Sequence, residues 1–180
     1  AYTELIITSP TPDQILSAFV AIGANDPYQV FLNENAQDDA NGPNKFAFNF
    51  FNGNFDKANL DLTLQDITTL YRDVTFGVFS DYTLIEPLSS DPRATFEVIS
   101  TPADNYFAAF FADFSEYDNQ GATIFASGFL SFDLLPALEL WIVLPDGRTM
   151  PLELVVGTED LSELIPVITL SPNPSTERAD

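Results

Sequence analysis

Apolar side chains recur at every second position over much of the chain. Phe46, Phe48 and Phe50 alternate with smaller or polar residues, and Phe96 and Val98 repeat the pattern. Because successive side chains of a β-strand point to opposite faces of its sheet, a period of two is typical of strands that line a hydrophobic core. Further strand-like segments lie at 2–8, 74–78, 123–132, 137–144 and 149–156.

Turn-forming residues separate these segments at short intervals. The signals combine Gly, Pro, Asn and Asp, and they fall at 41–43, 52–54, 90–92, 119–121, 146–147 and 171–174. Many short strands joined in this way predict a mainly β fold, an antiparallel β-sandwich or barrel. The 180 residues suit one domain, which we expect over 1–170, followed by a polar, Pro-containing tail over 171–180.

One stretch near the start has helical rather than strand-like spacing. Residues 11–14 read as a helix N-terminus with Pro at the first helical position, where proline is well tolerated. Apolar residues then follow at helical spacing, and Gly23 can end the helix. The sequence therefore predicts a helix over 12–22.

Three other stretches bear on the helix content. Thr63 and Asp66 resemble a capping pair, which predicts a short helix near 64–72. The aromatic segment 101–114 fits either a helix or a strand, and we favour a strand because its aromatic load suits a pleated sheet. One more helical turn is predicted within 158–165.

The composition excludes several functions. The chain has 27 acidic and 6 basic residues, a net charge of −21, and nucleic acid or an anionic membrane would need clustered cations that six scattered ones cannot provide. Without His and Cys there is no Ser-His-Asp triad, Cys nucleophile or typical zinc site. We therefore expect a protein that is not an enzyme. The remaining catalytic alternative is a glycosidase that uses paired carboxylates among Glu97, Glu139 and Glu153.

Calcium is the one cofactor that the sequence suggests. The loop 33–42 is rich in the hard oxygen ligands that calcium prefers, and Glu34, Asp38 and Asp39 are its candidate metal ligands. A second acidic loop at 113–119 is the other calcium candidate. The spacing does not match an EF-hand, so a solvated polar loop is the alternative, and no other cofactor is predicted.

The segment 137–156 is apolar on both faces of its predicted strands. One face carries Leu138, Leu140, Ile142 and Leu144, and the other carries Trp141 and Val143. A sheet with one wet face would show cleaner alternation. Either the 12–22 helix or a neighbouring subunit should therefore cover the second face.

A predicted turn sets the pairing of this hairpin. A two-residue turn at Asp146-Gly147 would place Val143 opposite Met150 and Trp141 opposite Leu152. These four residues form the predicted interface: Trp141, Val143, Met150 and Leu152. Because Pro151 cannot donate to a strand ladder, we also expect the segment 149–156 to lie at a sheet edge.

These features predict a non-enzymatic structural subunit of a larger assembly. We expect a virion tail or decoration protein, or a surface filament, that forms homo-oligomers through its apolar hairpin and resides in a virion or at a cell surface. The alternative is an extracellular module that binds a glycan or a protein and could use calcium.

Overall fold

The computed structural model describes residues 17–21, 29–65, 68–85, 92–101, 107–130 and 134–157. In these ranges the chain forms twelve β-strands and no helix, which confirms the predicted mainly β class. The strands are β1 (Ser17–Ala21), β2 (Gln29–Asn33), β3 (Phe46–Asn54), β4 (Asn59–Leu64), β5 (Thr68–Val74), β6 (Thr83–Ile85), β7 (Arg93–Thr101), β8 (Phe107–Asp113), β9 (Gln120–Gly128), β10 (Glu139–Val143), β11 (Thr149–Pro151) and β12 (Glu153–Gly157).

The strands form three sheets. Sheet I has five strands in the order β11-β10-β9-β3-β6, sheet II has five in the order β12-β8-β7-β4-β5, and sheet III is the pair β1-β2. Neighbouring strands run antiparallel except β3 and β9, which pair in parallel along their whole length. The described residues contain no helix that is long and apolar enough to span a membrane.

The main hydrophobic core lies between sheets I and II. The three alternating phenylalanines of β3, Phe46, Phe48 and Phe50, are fully buried in it. The Phe46 ring stacks on the Phe114 ring with centroids 4.7 Å apart, and the Phe48 ring meets the Phe96 ring edge-on at 5.6 Å. The period of two in the sequence thus correctly identified the residues that line this core.

Sheet III packs on the outer face of sheet I and forms a local third layer. The Phe19 ring of β1 lies 5.1 Å from the Phe51 ring, and 5.4 Å from those of Phe79 and Phe125, measured between centroids. We call Phe19, Phe51, Phe79 and Phe125 the outer phenylalanine cluster. Its presence explains why all nine residues of β3 are buried, including those that point away from the main core.

The predicted helix over 12–22 is wrong where the structure describes it. Ser17–Ala21 is strand β1, paired antiparallel with β2 so that Phe19 lies opposite Phe31. Helical spacing of apolar residues does not exclude strand alternation over five residues, and Phe19 is buried while Ala18 is exposed. Packing on the outer phenylalanine cluster therefore overrides the local helix signals.

The predicted helix near 64–72 is also wrong. Leu64 ends β4 and Thr68 begins β5, and these two residues pair across an antiparallel hairpin. The Thr63 hydroxyl donates a hydrogen bond to the Thr69 hydroxyl across the strands at 3.3 Å instead of capping a helix. β-Branched residues such as these threonines suit a pleated sheet better than a helix.

The remaining predictions of strands, a helical turn and a tail have different outcomes. The favoured strand within 101–114 is confirmed as β8, which pairs with β7 and β12. The predicted strand 74–78 is wrong beyond Val74, because Phe76 and Gly77 form a turn in which Gly77 has a φ of +77°. The predicted strand 2–8, the helical turn within 158–165 and the tail 171–180 lie outside the described residues.

Candidate functional site

The hairpin of β10 and β11 closes through a three-residue loop rather than the predicted two-residue turn. The Leu144 amide donates to the Arg148 carbonyl at 2.9 Å, and the Gly147 amide donates to the Leu144 carbonyl at 2.9 Å. Gly147 has a φ of +87°. A turn with Pro at its second position, followed by Gly in the left-handed region, is the usual three-residue hairpin loop.

Asp146 stabilises this loop. Its carboxylate accepts hydrogen bonds from the Arg148 amide at 3.0 Å and from the Arg148 Nε at 2.7 Å. The backbone amide first, and then the guanidinium, hold the pKa of Asp146 below its usual value. The loop is therefore closed by local contacts of its own.

The longer loop shifts the predicted pairing by one residue. Trp141 lies opposite Pro151, Ile142 opposite Met150, and Val143 opposite Thr149. Because a one-residue shift moves side chains to the other face of a sheet, Met150 and Leu152 do not share a face with Trp141 and Val143. The structure thus divides the predicted interface into two separate surfaces, and the prediction of one shared face is wrong.

The first surface is the outer face of sheet I. Val143 packs against the outer phenylalanine cluster, so the segment that we expected to be a covering helix does cover this region, as strand β1. Trp141 is half-buried beside it, in an open groove of ≈310 Å³ that Phe125 and Glu139 also line. The Trp141 Nε1 donates a hydrogen bond to Glu139 Oε2 at 3.1 Å.

The second surface is the side of the sandwich where β11 and β12 form the outermost described strands of sheets I and II. The edge position that we predicted from Pro151 is therefore confirmed. We call residues 149–157 the lateral edge. Leu152 packs against the main core, whereas Met150, Leu154 and Val155 are 40%, 43% and 51% exposed.

Register shows how these side chains are directed. Met150 pairs with Ile142, and Leu154 pairs with Phe110, and both partners are buried in the main core. Since paired residues of adjacent strands share a face, Met150 and Leu154 face the opening between the two sheets. The Tyr117 hydroxyl donates a hydrogen bond to the Met150 sulfur at 3.4 Å, which fixes one end of this apolar row.

The predicted calcium ligands lie in an exposed loop. Asp39 Oδ1 accepts a hydrogen bond from the Asn41 amide at 3.0 Å, and the backbone carbonyl of Asp38 accepts one from the Gly121 amide at 3.0 Å. Glu34 is exposed as well. In the described ranges, no three acidic side chains come together as a metal-binding group. Calcium binding by this loop stays a prediction.

The three glutamates of the glycosidase alternative are spread over two sheets. Glu97 lies on β7 and Glu153 on β12, both in sheet II, whereas Glu139 lies on β10 in sheet I. Glu139 already accepts the hydrogen bond from Trp141.

A pocket that the sequence did not predict lies beside the outer phenylalanine cluster. It has a volume of ≈270 Å³. Asn33, at the end of β2, and Asn49, on the outer face of β3, belong to its wall. We call it the asparagine pocket, and its lining is Asn33, Asn35, Gln37, Asn49, Phe79, Ser80, Asp81 and Tyr82.

Backbone contacts with β3 hold the segment 79–82 in place. The Ser80 amide donates to the Phe50 carbonyl at 2.8 Å, and the Phe50 amide donates to Ser80 Oγ at 2.8 Å. On the opposite wall, the Gln37 amide donates to the Tyr82 hydroxyl at 3.0 Å. Two separate stretches of chain are thus tied together around the pocket.

Two buried amides of the pocket have unused hydrogen-bonding atoms. Asn33 and Asn49 are only 4% and 1% exposed. Asn33 Oδ1 accepts the Asn35 amide at 3.1 Å, but Asn33 Nδ2 and Asn49 Oδ1 have no partner among the described residues. A buried polar atom without a partner costs about 1–3 kcal/mol, so this pair is unusual in a folded protein.

Two other buried asparagines of β3 provide a contrast. Asn52 Nδ2 donates to the Ala58 and Val74 carbonyls at 2.9 Å and 2.7 Å. Asn54 Nδ2 donates to Asn52 Oδ1 at 2.6 Å and to the Ala58 carbonyl at 2.7 Å. These bonds tie the end of β3 to the next hairpin, so Asn52 and Asn54 have a structural role that Asn49 lacks.

One sequence signal pointed toward this pocket. Asn49 stands between Phe48 and Phe50, and an amide inside an apolar strand either faces solvent or needs a buried partner.

No family model, curated protein or solved structure matches the chain.

Proposed function

We propose that the protein is a non-enzymatic structural subunit of a larger assembly and that its copies associate through the lateral edge. The observation that carries this proposal is the exposure of Met150, Leu154 and Val155 on two consecutive edge strands. Single exposed apolar residues are common, but a group of neighbouring ones favours an interaction surface.

The lateral edge suits contact through side chains better than extension of a sheet. Pro151 has no N–H to donate, and the pairing of β12 with β8 is interrupted by an irregularity between Leu154 and Val156. Both features oppose strand-to-strand pairing at an edge. A second copy that covers Met150, Leu154 and Val155 would instead bury these exposed apolar side chains in the interface.

The charge of the chain narrows the kind of assembly. At a net charge of −21, direct contact with packaged nucleic acid is unfavourable. A virion tail or decoration protein, or a surface filament, has no need of such contact. We propose a virion or a cell surface as the location of such a subunit.

A charge placed on the lateral edge should prevent association. We expect Val155→Asp to weaken self-association at least about tenfold, because tenfold corresponds to only 1.4 kcal/mol and an unpaired charge buried in an interface costs more than that. Sedimentation velocity over a concentration series measures the effect. Circular dichroism should show unchanged β structure, since Val155 is an exposed position.

Val78→Asp is the matched control. Val78 is 45% exposed and receives the same charge, but it lies in the loop after β5, so its variant should associate like the wild type. A wild-type chain that remains monomeric at every concentration would overturn the proposal. So would equal dissociation of both variants.

The second candidate function is a binding module for a small polar ligand. The asparagine pocket favours it, because two of its lining residues carry buried amide atoms that have no hydrogen-bond partner among the described residues. The pocket and the lateral edge involve different residues, so the two functions are compatible.

A further inference from the structure

Two lining residues of the asparagine pocket each carry a side-chain atom that is buried and has no hydrogen-bond partner among the described residues. They are Asn33 Nδ2, a donor, and Asn49 Oδ1, an acceptor, and a ligand in the pocket reaches them only when neighbouring side chains move aside. The bond from the Asn35 amide to Asn33 Oδ1 sets the orientation of the Asn33 amide. A ligand that pairs with both atoms must itself accept and donate, as a hydroxyl group does.

We propose that this pocket binds one unit of a neutral saccharide, with its hydroxyl groups on Asn33 Nδ2 and Asn49 Oδ1. This inference specifies the ligand class of the second candidate function and rests on it, not on self-association. Phe79 and Tyr82 are the aromatic residues of the described lining, and the other six lining residues are polar. A polar lining of this kind suits a ligand rich in hydroxyl groups, because each hydroxyl both donates and accepts hydrogen bonds.

The lining disfavours a metal ion. Calcium sites usually contain several carboxylates, but Asp81 is the one carboxylate among the described residues that line the pocket. The free atom of Asn33 is an N–H group, which a cation would repel.

The charge disfavours an anionic ligand. Asp81 lies at the pocket, and the chain as a whole carries a charge of −21. A carboxylated or phosphorylated sugar would meet repulsion without a described cation in the lining to offset it. A neutral sugar avoids this.

The size of the pocket fits a single sugar unit. Its volume of ≈270 Å³ is near the lower limit of about 300 Å³ for ligand sites, and it exceeds the roughly 30 Å³ that one water occupies. A few ordered waters are the competing occupant, and the experiment separates the two.

The test is a titration of the ¹⁵N-labelled full chain, followed by NMR. The probes are the methyl glycosides of glucose, galactose, mannose and N-acetylglucosamine, each added to millimolar concentration. We expect at least one of them to shift the amide signals of Asn33, Asn35 and Gln37 in a saturable way. Sialic acid, a charged sugar, should leave them unshifted.

Asn49→Leu separates ligand binding from a structural role. We expect a loss of sugar affinity of at least tenfold with an equal or higher melting temperature, because an apolar residue of similar size removes an unpaired buried atom. Asn52→Leu is the matched control for stability: it should lower the melting temperature, since it breaks the hydrogen bonds to Ala58 and Val74.

Three outcomes would overturn the saccharide site. The first is that none of the four glycosides causes saturable shifts in the wild type. The second is that calcium chloride shifts the same amides and that these shifts are lost in Asn49→Leu. The third is that sialic acid binds as well as the neutral sugars. Val155→Asp should bind sugar like the wild type, and Asn49→Leu should associate like the wild type. Failure of one proposal is thus distinguishable from failure of the other.

Discussion

At the scale of single residues, the buried hydroxyl of Tyr71 makes the stability of the folded state depend on pH. It donates a hydrogen bond to the Phe48 carbonyl at 3.0 Å. Burial raises the pKa of Tyr71 above its ordinary 10.0, although the side chains of Thr83 and Ser80 act in the opposite direction. The folded state thus favours the neutral phenol. This stabilisation is fully present below pH 10.0 and is lost as the pH rises through the higher pKa of the folded protein.

Tyr71→Phe should lower the free energy of unfolding by about 0.5–1.5 kcal/mol at neutral pH, since the hydrogen bond from Tyr71 to the Phe48 carbonyl is lost. It should also flatten the decline in stability above pH 10.0, because the ionisable group is gone. Urea unfolding of both proteins at neutral and at alkaline pH measures the two effects. Parallel pH curves for variant and wild type would contradict the assignment.

The same scale shows where sequence patterns stop being informative. Alternation identified Phe46, Phe48 and Phe50 as core residues, because hydrophobic burial follows the pleat of a strand. It could not predict whether Asn49 is buried or exposed, since that depends on what covers the other face of the strand. In this molecule Phe79 and Tyr82, some thirty residues further along the chain, close the wall around it.

At the scale of elements, loop length decided which residues share a surface. The Asp146-Gly147 pair correctly predicted a hairpin, but Pro145 at the start of the turn made the loop one residue longer. The resulting shift separated Trp141 from Leu152. Both loop lengths satisfy the same dipeptide signal, so the sequence alone could not choose between the two faces.

Strand β1 is the element whose role can be tested most directly. Phe19→Ala should lower the free energy of unfolding by about 3–5 kcal/mol, because the buried Phe19 ring contacts three rings of sheet I and its neighbouring loop. It should also raise the binding of a hydrophobic dye, since Phe51 and Phe125 lose their cover. Chemical unfolding and dye fluorescence measure these changes.

Phe19→Leu is the graded control and should give a smaller loss of stability, because it retains most of the apolar volume. A change below about 0.5 kcal/mol for Phe19→Ala, as at ordinary surface positions, would show that β1 does not cover sheet I.

At the scale of the whole molecule, the fold depends on contacts between distant segments. β3 and β9 are the central parallel pair of sheet I, and more than sixty residues separate them in the sequence. Local patterns predict strands and turns, but they do not show which distant strands pair with each other. They also gave no sign that β1 and β2 would form a layer of their own, because a two-stranded sheet becomes stable only by packing on another element.

The net charge of −21 should act on both folding and association. Like charges repel within a screening length of about 8 Å at physiological ionic strength and about 3 Å at 1 M. We therefore expect the melting temperature to rise with added sodium chloride. We also expect the oligomer to become more populated, because the screened repulsion between copies opposes their apolar contact less strongly. Differential scanning calorimetry and sedimentation over the same salt series measure the two effects.

Val155→Asp separates the two consequences of salt. Its melting temperature should still rise, because repulsion within one chain is screened as in the wild type. Its self-association should stay at least about tenfold weaker than that of the wild type at each salt concentration. Potassium chloride at equal ionic strength should reproduce the sodium result, which distinguishes screening from specific ion binding. A melting temperature independent of salt would mean that the acidic side chains are too far apart, or too well solvated, to oppose folding. Association would then depend on the apolar lateral edge alone.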